Sequence, residues 1–141
     1  MDVKRLSAVD AAYLAGFIDG EGTVTLTKKH KNENRQLAVT ISNTERQILE
    51  FSLEVIGAGK ITNKRTSQPH HSPSFTYAIY NRQALGLLEQ IKPYLRSYKL
   101  KRAKLILDNY IALTPRNGKY SEDLLQKRKS FEKAVLATKS I

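Results

Sequence analysis

Residues 14–22 read Leu-Ala-Gly-Phe-Ile-Asp-Gly-Glu-Gly and put two carboxylates, Asp19 and Glu21, where a helix reads as ending. Negative charge there opposes the helix dipole. Gly16 and Gly20, four apart, strip one face of side chains, at roughly 0.5–1 kcal/mol each relative to alanine. Neither choice serves the helix, so both answer to something the helix meets. A second group of residues has a clearer chemistry. Thr23, Thr25 and Thr27, then Gln36 and Thr40, fall on one face of two alternating runs, flanked by Lys28, Lys29, Arg35, Lys60, Lys64 and Arg65. Thr62 and Thr76 extend that face, and Lys101 adds a later cation. Hydroxyls, amides and cations together suit base edges and phosphates. His70 and His71 are adjacent, which is not the spacing of a zinc site. The absence of cysteine excludes disulfides and thiolate metal centres.

The elements that must carry these residues follow from periodicity. Ser7 and Asp10 mark a helix start, and residues 8–19 carry packing faces at helical spacing. Residues 23–27 alternate as a half-buried strand, "KKHKNENR" reads as a hairpin tip, and Leu37, Val39 and Ile41 alternate again. Thr44 and Gln47 form a capping-box pattern before a helix over 45–56, striped by Ile48, Leu49, Leu53 and Ile56 and closed by Gly57 and Gly59. Strands over 59–66 and 74–80 follow, joined by "SQPHHSPS". Asn81 is placed to cap a helix reaching 92, where Pro93 intervenes. A helix over 98–113 ends at Thr114-Pro115, "RNGKY" is a turn, and a last helix over 121–138 shows Leu124, Phe131 and Val135 on one side. The expected fold is α+β: a four-stranded antiparallel sheet with Val24, Leu26, Leu37, Val39 and Ile41 facing helices on one side. Its length of 141 residues fits one domain, with a core over 8–113 and a C-terminal helical extension over 114–141. Lys plus Arg number 24 against 13 Asp plus Glu, a net charge of +11 that points to a polyanionic partner. No apolar run has the length of a membrane span, and no secretory pattern opens the chain.

"LAGFIDGEG", preceded by Tyr13 and followed by a threonine-rich strand, resembles the motif of the LAGLIDADG homing endonucleases, in their single-motif branch. The order of elements matches that family's αββαββα core. "IGAGKI" at 56–61 resembles its glycine turn into the third strand, and "KPYLRSYKLKRAKLIL" at 92–107 its late basic segment. The resemblance covers about residues 8–113.

The resemblance implies a homodimer in which two motif helices pack across a two-fold axis. Gly16 and Gly20 would let the backbones approach, with Tyr13 and Phe17 beside them. It makes Glu21 the metal ligand, where the family more often has Asp. Two copies of Glu21 at the axis would repel unless a divalent cation lay between them. Mg²⁺ is the implied ion, with Mn²⁺ as a substitute and Ca²⁺ binding without supporting cleavage. Asp19 is assigned to supporting the helix end. Asn43 in "ISNTE" stands where relatives often carry a Gln that organises water. Lys99 matches a catalytic lysine by its offset from Ala103, with Lys101 as its competitor. A strand of about 8 residues spans about 26 Å, or some 8 base pairs, so a dimer would cover a nearly palindromic site of roughly 20. The family implies double-strand cleavage across the minor groove, leaving short 3′ overhangs.

The alternative on the same fold is an RNA maturase that assists intron splicing, with RNA as partner, or a DNA-binding protein that does not cut. A basic ribosome-associated protein would explain the charge but not the motif. The expected setting is intracellular, organelle-encoded or microbial.

Overall fold

The computed structural model describes residues 2–64 and 73–139. Arg65, His70 and His71 lie outside the described residues. Along the chain run α1 (Ala8–Glu21), β1 (Gly22–Thr27), β2 (Gln36–Asn43), α2 (Arg46–Ile56), β3 (Lys60–Lys64), β4 (Ser74–Tyr80) and α3 (Asn81–Ile91). A 3₁₀ turn at Lys92–Tyr94 leads to α4 (Lys99–Asn109), and α5 (Glu122–Ala137) closes the chain. The sheet is antiparallel in the order β1-β2-β4-β3. The fold is α+β, with an αββαββα core and further helices after it.

Alternation sets the layers. Val24, Leu26, Leu37, Val39, Ile41, Tyr77 and Ile79 are all buried against the helices. Beneath them lie Ala11, Leu14, Ala15 and Ile18 of α1 and Ala84, Leu87, Leu88 and Ile91 of α3. The turn at 57–59 needs glycine twice. Gly57 ends α2 at φ +79°, and Gly59 takes φ +100° where a Cβ would sit 2.7 Å from the Tyr77 ring and hydroxyl. That hydroxyl donates to the Ala58 carbonyl at 2.7 Å, so the turn is riveted to β4.

Helix starts went partly as expected. Ser7 and Ser121 accept from Asp10 N and Leu124 N, each at 3.1 Å. The capping box at Thr44 and Gln47 does not form. Instead Asn43 Oδ1 accepts from Glu45 N at 2.8 Å, an Asx turn that launches α2. Asn81 does not cap α3 either. It sits at φ +55° and spends its amide on Gln36 and Tyr110. The helix expected over 98–113 is helical only to Asn109. It then unwinds through a turn, with Leu113 N donating to Asn109 O at 3.1 Å.

The last helix holds a feature that its apolar spacing hides. Phe131 and Val135 are buried and Leu124 is half-buried, as expected, but Arg128 and Glu132 are buried between them. Arg128 Nε pairs with Glu132 Oε2 at 3.0 Å. Its other nitrogens donate to Leu113 O at 3.1 Å, to Arg35 O at 2.6 Å and to the Thr114 hydroxyl. Glu132 accepts in turn from Arg35 N at 3.1 Å. The pair therefore clamps the start of β2 to α5. Removing one member of a buried, satisfied pair leaves the other without a partner, at about 3–5 kcal/mol. Urea denaturation of Arg128→Ala should show a loss of about that size, and Arg128→Met with Glu132→Leu should recover part of it.

Candidate active site and nucleic-acid interface

The end of α1 resolves the puzzle of its two acids. Asp19 accepts from Arg96 N at 2.8 Å, from Ser97 N at 3.1 Å and from the Ser97 hydroxyl. It thus ties α1 to the segment before α4. Lys99, only 7% exposed, donates from Nζ to Ile18 O at 2.7 Å and Asp19 O at 2.9 Å. Its ammonium meets the orphan carbonyls and the negative pole of the helix together. Burial pulls the Lys99 pKa below the ordinary lysine value and Arg102 adds to the fall, while Asp19 and Glu21 pull the other way. Lys101 is exposed on another face of α4. Of the two lysines, Lys99 is the one brought to the α1 end.

Glu21 is exposed at that end and forms no ion pair among the described residues. The register sets Gly22 opposite Ile41, so Asn43 stands two residues beyond the junction of α1 and β1. The described residues contain no cluster of three or more His, Cys, Asp or Glu able to hold a metal. One chain offers a single unpaired carboxylate here, which suits a hard cation only when other oxygen ligands complete the shell.

The outer face of α1 is apolar as well. Val9 is 78% exposed, and Ala12, Tyr13, Gly16 and Gly20 follow it along the exposed side. A Cβ on Gly16 or Gly20 would meet nothing within 4 Å, so no contact among the described residues requires either glycine. Gly22 differs, because a Cβ there would lie 2.9 Å from Ile18 Cα and 3.1 Å from Thr40 O. Phe17 is half-buried, 6.0 Å from the Tyr13 ring. Phe51 of α2 stands edge-on to Tyr13 at 5.6 Å and enlarges the exposed patch. Sequence reasoning missed Phe51 because it falls outside the buried stripe of α2. A helix apolar on all sides is one whose outer face also expects cover.

Pairings of Thr23 with Thr40, Thr27 with Gln36 and Thr62 with Thr76 put these residues on one face of the sheet. Lys60 joins it through its pairing with Ala78, and Lys28 and Lys29 are exposed at the hairpin tip. Thr25 and Thr27 are half-buried, and Thr62 is exposed. Ser42, which the sequence reading passed over, belongs to the same face and shares a 2.8 Å hydrogen bond with Thr76. Its position two residues from Thr40 was the available signal. Arg35 is turned differently from the others. Its guanidinium donates to Leu26 O at 3.3 Å, and its backbone is held by Arg128 and Glu132.

The profile of the LAGLIDADG endonucleases matches residues 14–121 of the chain, from the motif through α4 to the threshold of α5. The chain belongs to this family. The intron-encoded DNA endonuclease ai2b of Dictyostelium discoideum is 33% identical over 111 residues, covering 76% of the chain. The chain spans 40% of that relative's length. The homing endonuclease I-CvuI, solved with its DNA target in the presence of calcium, superposes with a TM-score of 0.76 at 21% identity, covering 94% of this chain and 83% of that one. The archaeal intron-encoded I-Vdi141I, solved with DNA, gives 0.64 at 15% identity, covering 94% and 85%. These likenesses establish the fold, including the helices after the core.

Asp19 in this LAGLIDADG chain makes the acid limb of stability predictable. Burial works to raise its pKa, but hydrogen bonds from Ser97 and Arg96 and the charge of Lys99 outweigh it and hold the value below 3.8. A depressed carboxyl contributes stability that is full above its unfolded pKa and is lost as pH falls through the folded value. Asp19→Asn should cost about 1 kcal/mol at neutral pH. It should also flatten the decline of melting temperature as pH falls below about 4, as followed by circular dichroism.

Proposed function

We propose that this chain is a sequence-specific homing endonuclease that acts as a homodimer. It would make a metal-dependent double-strand break in a pseudo-palindromic DNA site of roughly 20 base pairs, leaving short 3′ overhangs. The observation that carries the reading is the open glycine face of α1, which ends at an unpaired Glu21. A Cβ on Gly16 or Gly20 would meet nothing within 4 Å among the described residues, and a second copy of α1 laid there would bring two Glu21 side chains together. Such an interface is isologous, and the site it creates needs both subunits.

Each residue then has a task. Glu21 from each subunit would hold Mg²⁺, which when bound supplies an activated water and relief of charge on the leaving oxygen. Lys99 keeps its ammonium fixed at the α1 end, and its charge would act on the phosphodiester bound there. Its lowered pKa lets it release a proton at lower pH than an ordinary lysine. Asn43, two residues beyond the partner of Gly22 on β2, would orient water with the part of its amide not bound to Glu45 N. The hydroxyls and amides of the outer sheet face would read base edges, with Lys28, Lys29 and Lys60 on phosphates. Lys64, Arg65 and Lys101 join them as phosphate contacts in this reading. No helix among the described residues is long and apolar enough to cross a membrane.

A pool of randomised duplexes tests the chemistry. Wild-type protein should cut selected duplexes with Mg²⁺ or Mn²⁺ and hold them uncut with Ca²⁺. Glu21→Gln should bind those duplexes and leave them intact, and undiminished cutting by that variant would remove the assignment. Specific RNA binding with no DNA cleavage under any metal would favour the maturase.

The dimer has an independent signature. Gly16→Ala and Gly20→Ala should stabilise the isolated helix by about 0.5–1 kcal/mol each, since neither Cβ meets an atom of its own chain. The same variants should weaken self-association in sedimentation velocity. Both effects moving in the same direction would argue against a partner on that face.

A further inference from the structure

The hydrogen bonds behind Gln36 run in one direction. Gln36 lies on the outer sheet face at the far end from Glu21, paired with Thr27. Its Oε1 accepts from Asn81 Nδ2 at 3.2 Å, and Asn81 Oδ1 accepts from the Tyr110 hydroxyl at 3.0 Å. Asn81 is held in the left-handed region at φ +55°, and Tyr110 is buried. Behind Tyr110 stands Arg128, whose guanidinium carbon lies 5.2 Å from the ring centroid. A guanidinium can only donate. The Tyr110 hydroxyl gives its proton to Asn81 Oδ1. With its carbonyl taken, Asn81 can offer Gln36 only its amide, and Gln36 must answer with its own carbonyl. The Gln36 Nε2 group has no hydrogen-bond partner among the described residues.

This order has a consequence for recognition. A glutamine with both ends free reads adenine by accepting from N6 and donating to N7. Gln36 has turned its carbonyl toward Asn81 and presents the two donors of Nε2 as its unpartnered end. Guanine offers two acceptors, N7 and O6, side by side in the major groove. We propose that Gln36 is a specificity-determining residue that reads guanine rather than adenine, and that Asn81 and Tyr110 are positioning residues that set its polarity. The inference rests on the reading that the outer sheet face binds duplex DNA.

Two measurements test it, one of them without DNA. In the free protein, side-chain amide NMR should show the Asn81 Nδ2 protons exchanging more slowly than the Gln36 Nε2 protons. The reverse order overturns the proposal. For the second, duplexes selected from a randomised pool by the wild type are compared with those selected by three variants. Gln36→Ala should lose preference at one base pair per half-site, and the wild type should favour guanine there. Asn81→Asp keeps a residue that tolerates left-handed backbone but can only accept, so Gln36 must turn its amide inward and its carbonyl out. Preference at that pair should move at least about tenfold toward the donor-bearing edges of cytosine or adenine. Tyr110→Phe leaves Asn81 free to flip and should relax the preference. Adenine favoured by the wild type at the Gln36-dependent pair, or an unchanged preference in Asn81→Asp, overturns the inference. A pool from which the wild type retains no duplex removes the endonuclease reading and the base assignment with it, while the NMR order still decides the polarity of the chain.

Discussion

Helix α1 passes into β1 with no residue between them, Glu21 ending one and Gly22 beginning the other. The junction admits only glycine at position 22, where a side chain would collide with Ile18 Cα and Thr40 O. Gly22 N also donates back to Ile18 O, so the strand leaves the helix at a fixed angle. The axis of α1 and the plane of the sheet are thereby tied together. Glu21, at the tip of the helix, and Thr23, first on the outer face, are two residues apart and share one rigid support. Placement of the acid relative to the sheet is set by this close-packed, hydrogen-bonded junction.

That junction would be costly without the cations behind it. Lys99 covers the terminal carbonyls of α1, and Arg102 beside it donates to Val24 O at 2.9 Å and Thr138 O at 2.9 Å. Arg128 does the same for the start of β2. Lys99, Arg102 and Arg128 are buried, each satisfying backbone carbonyls that the elements leave unpaired. Part of the basic excess is therefore internal fabric rather than surface charge, and net charge alone overstates the nucleic-acid footprint. The helices after the core acquire a clear role from this arrangement. Through Arg128 and Glu132, α5 holds β2 where the first hairpin leaves the sheet.

Strand alternation, the glycine turn at 57–59 and the order of elements were legible because each is a local pattern with one physical cause. The motif was legible for a different reason, since its glycines and acids contradict what a lone helix wants. What the sequence hid was non-local. The hydrogen bonds of Asp19 and Lys99 cross 77 to 81 positions of chain, and no periodicity announces them. Thr44 and Asn81 both read as helix-start residues, yet Asn43 launches α2 in place of Thr44, and Asn81 spends its amide on Gln36 and Tyr110. Arg35 read as one more surface cation of a basic hairpin. Burial of Arg128 turned it inward, because the carbonyl and amide of residue 35 are what the clamp grips.

The two ends of the sheet are thus governed by different means. At the α1 end, a glycine without room for a side chain fixes where the carboxylate sits. At the hairpin end, the hydroxyl of buried Tyr110, donating to Asn81, sets which way a run of amides points. The first constraint is steric and bears on where a phosphodiester could be attacked. The second is electrostatic and bears on which base could lie beneath Gln36. A substitution on the outer face therefore does not act on a passive surface. Its effect depends on donors and acceptors two layers down, so base preference at Gln36 can be shifted from Asn81, a residue that itself lies behind the reading face.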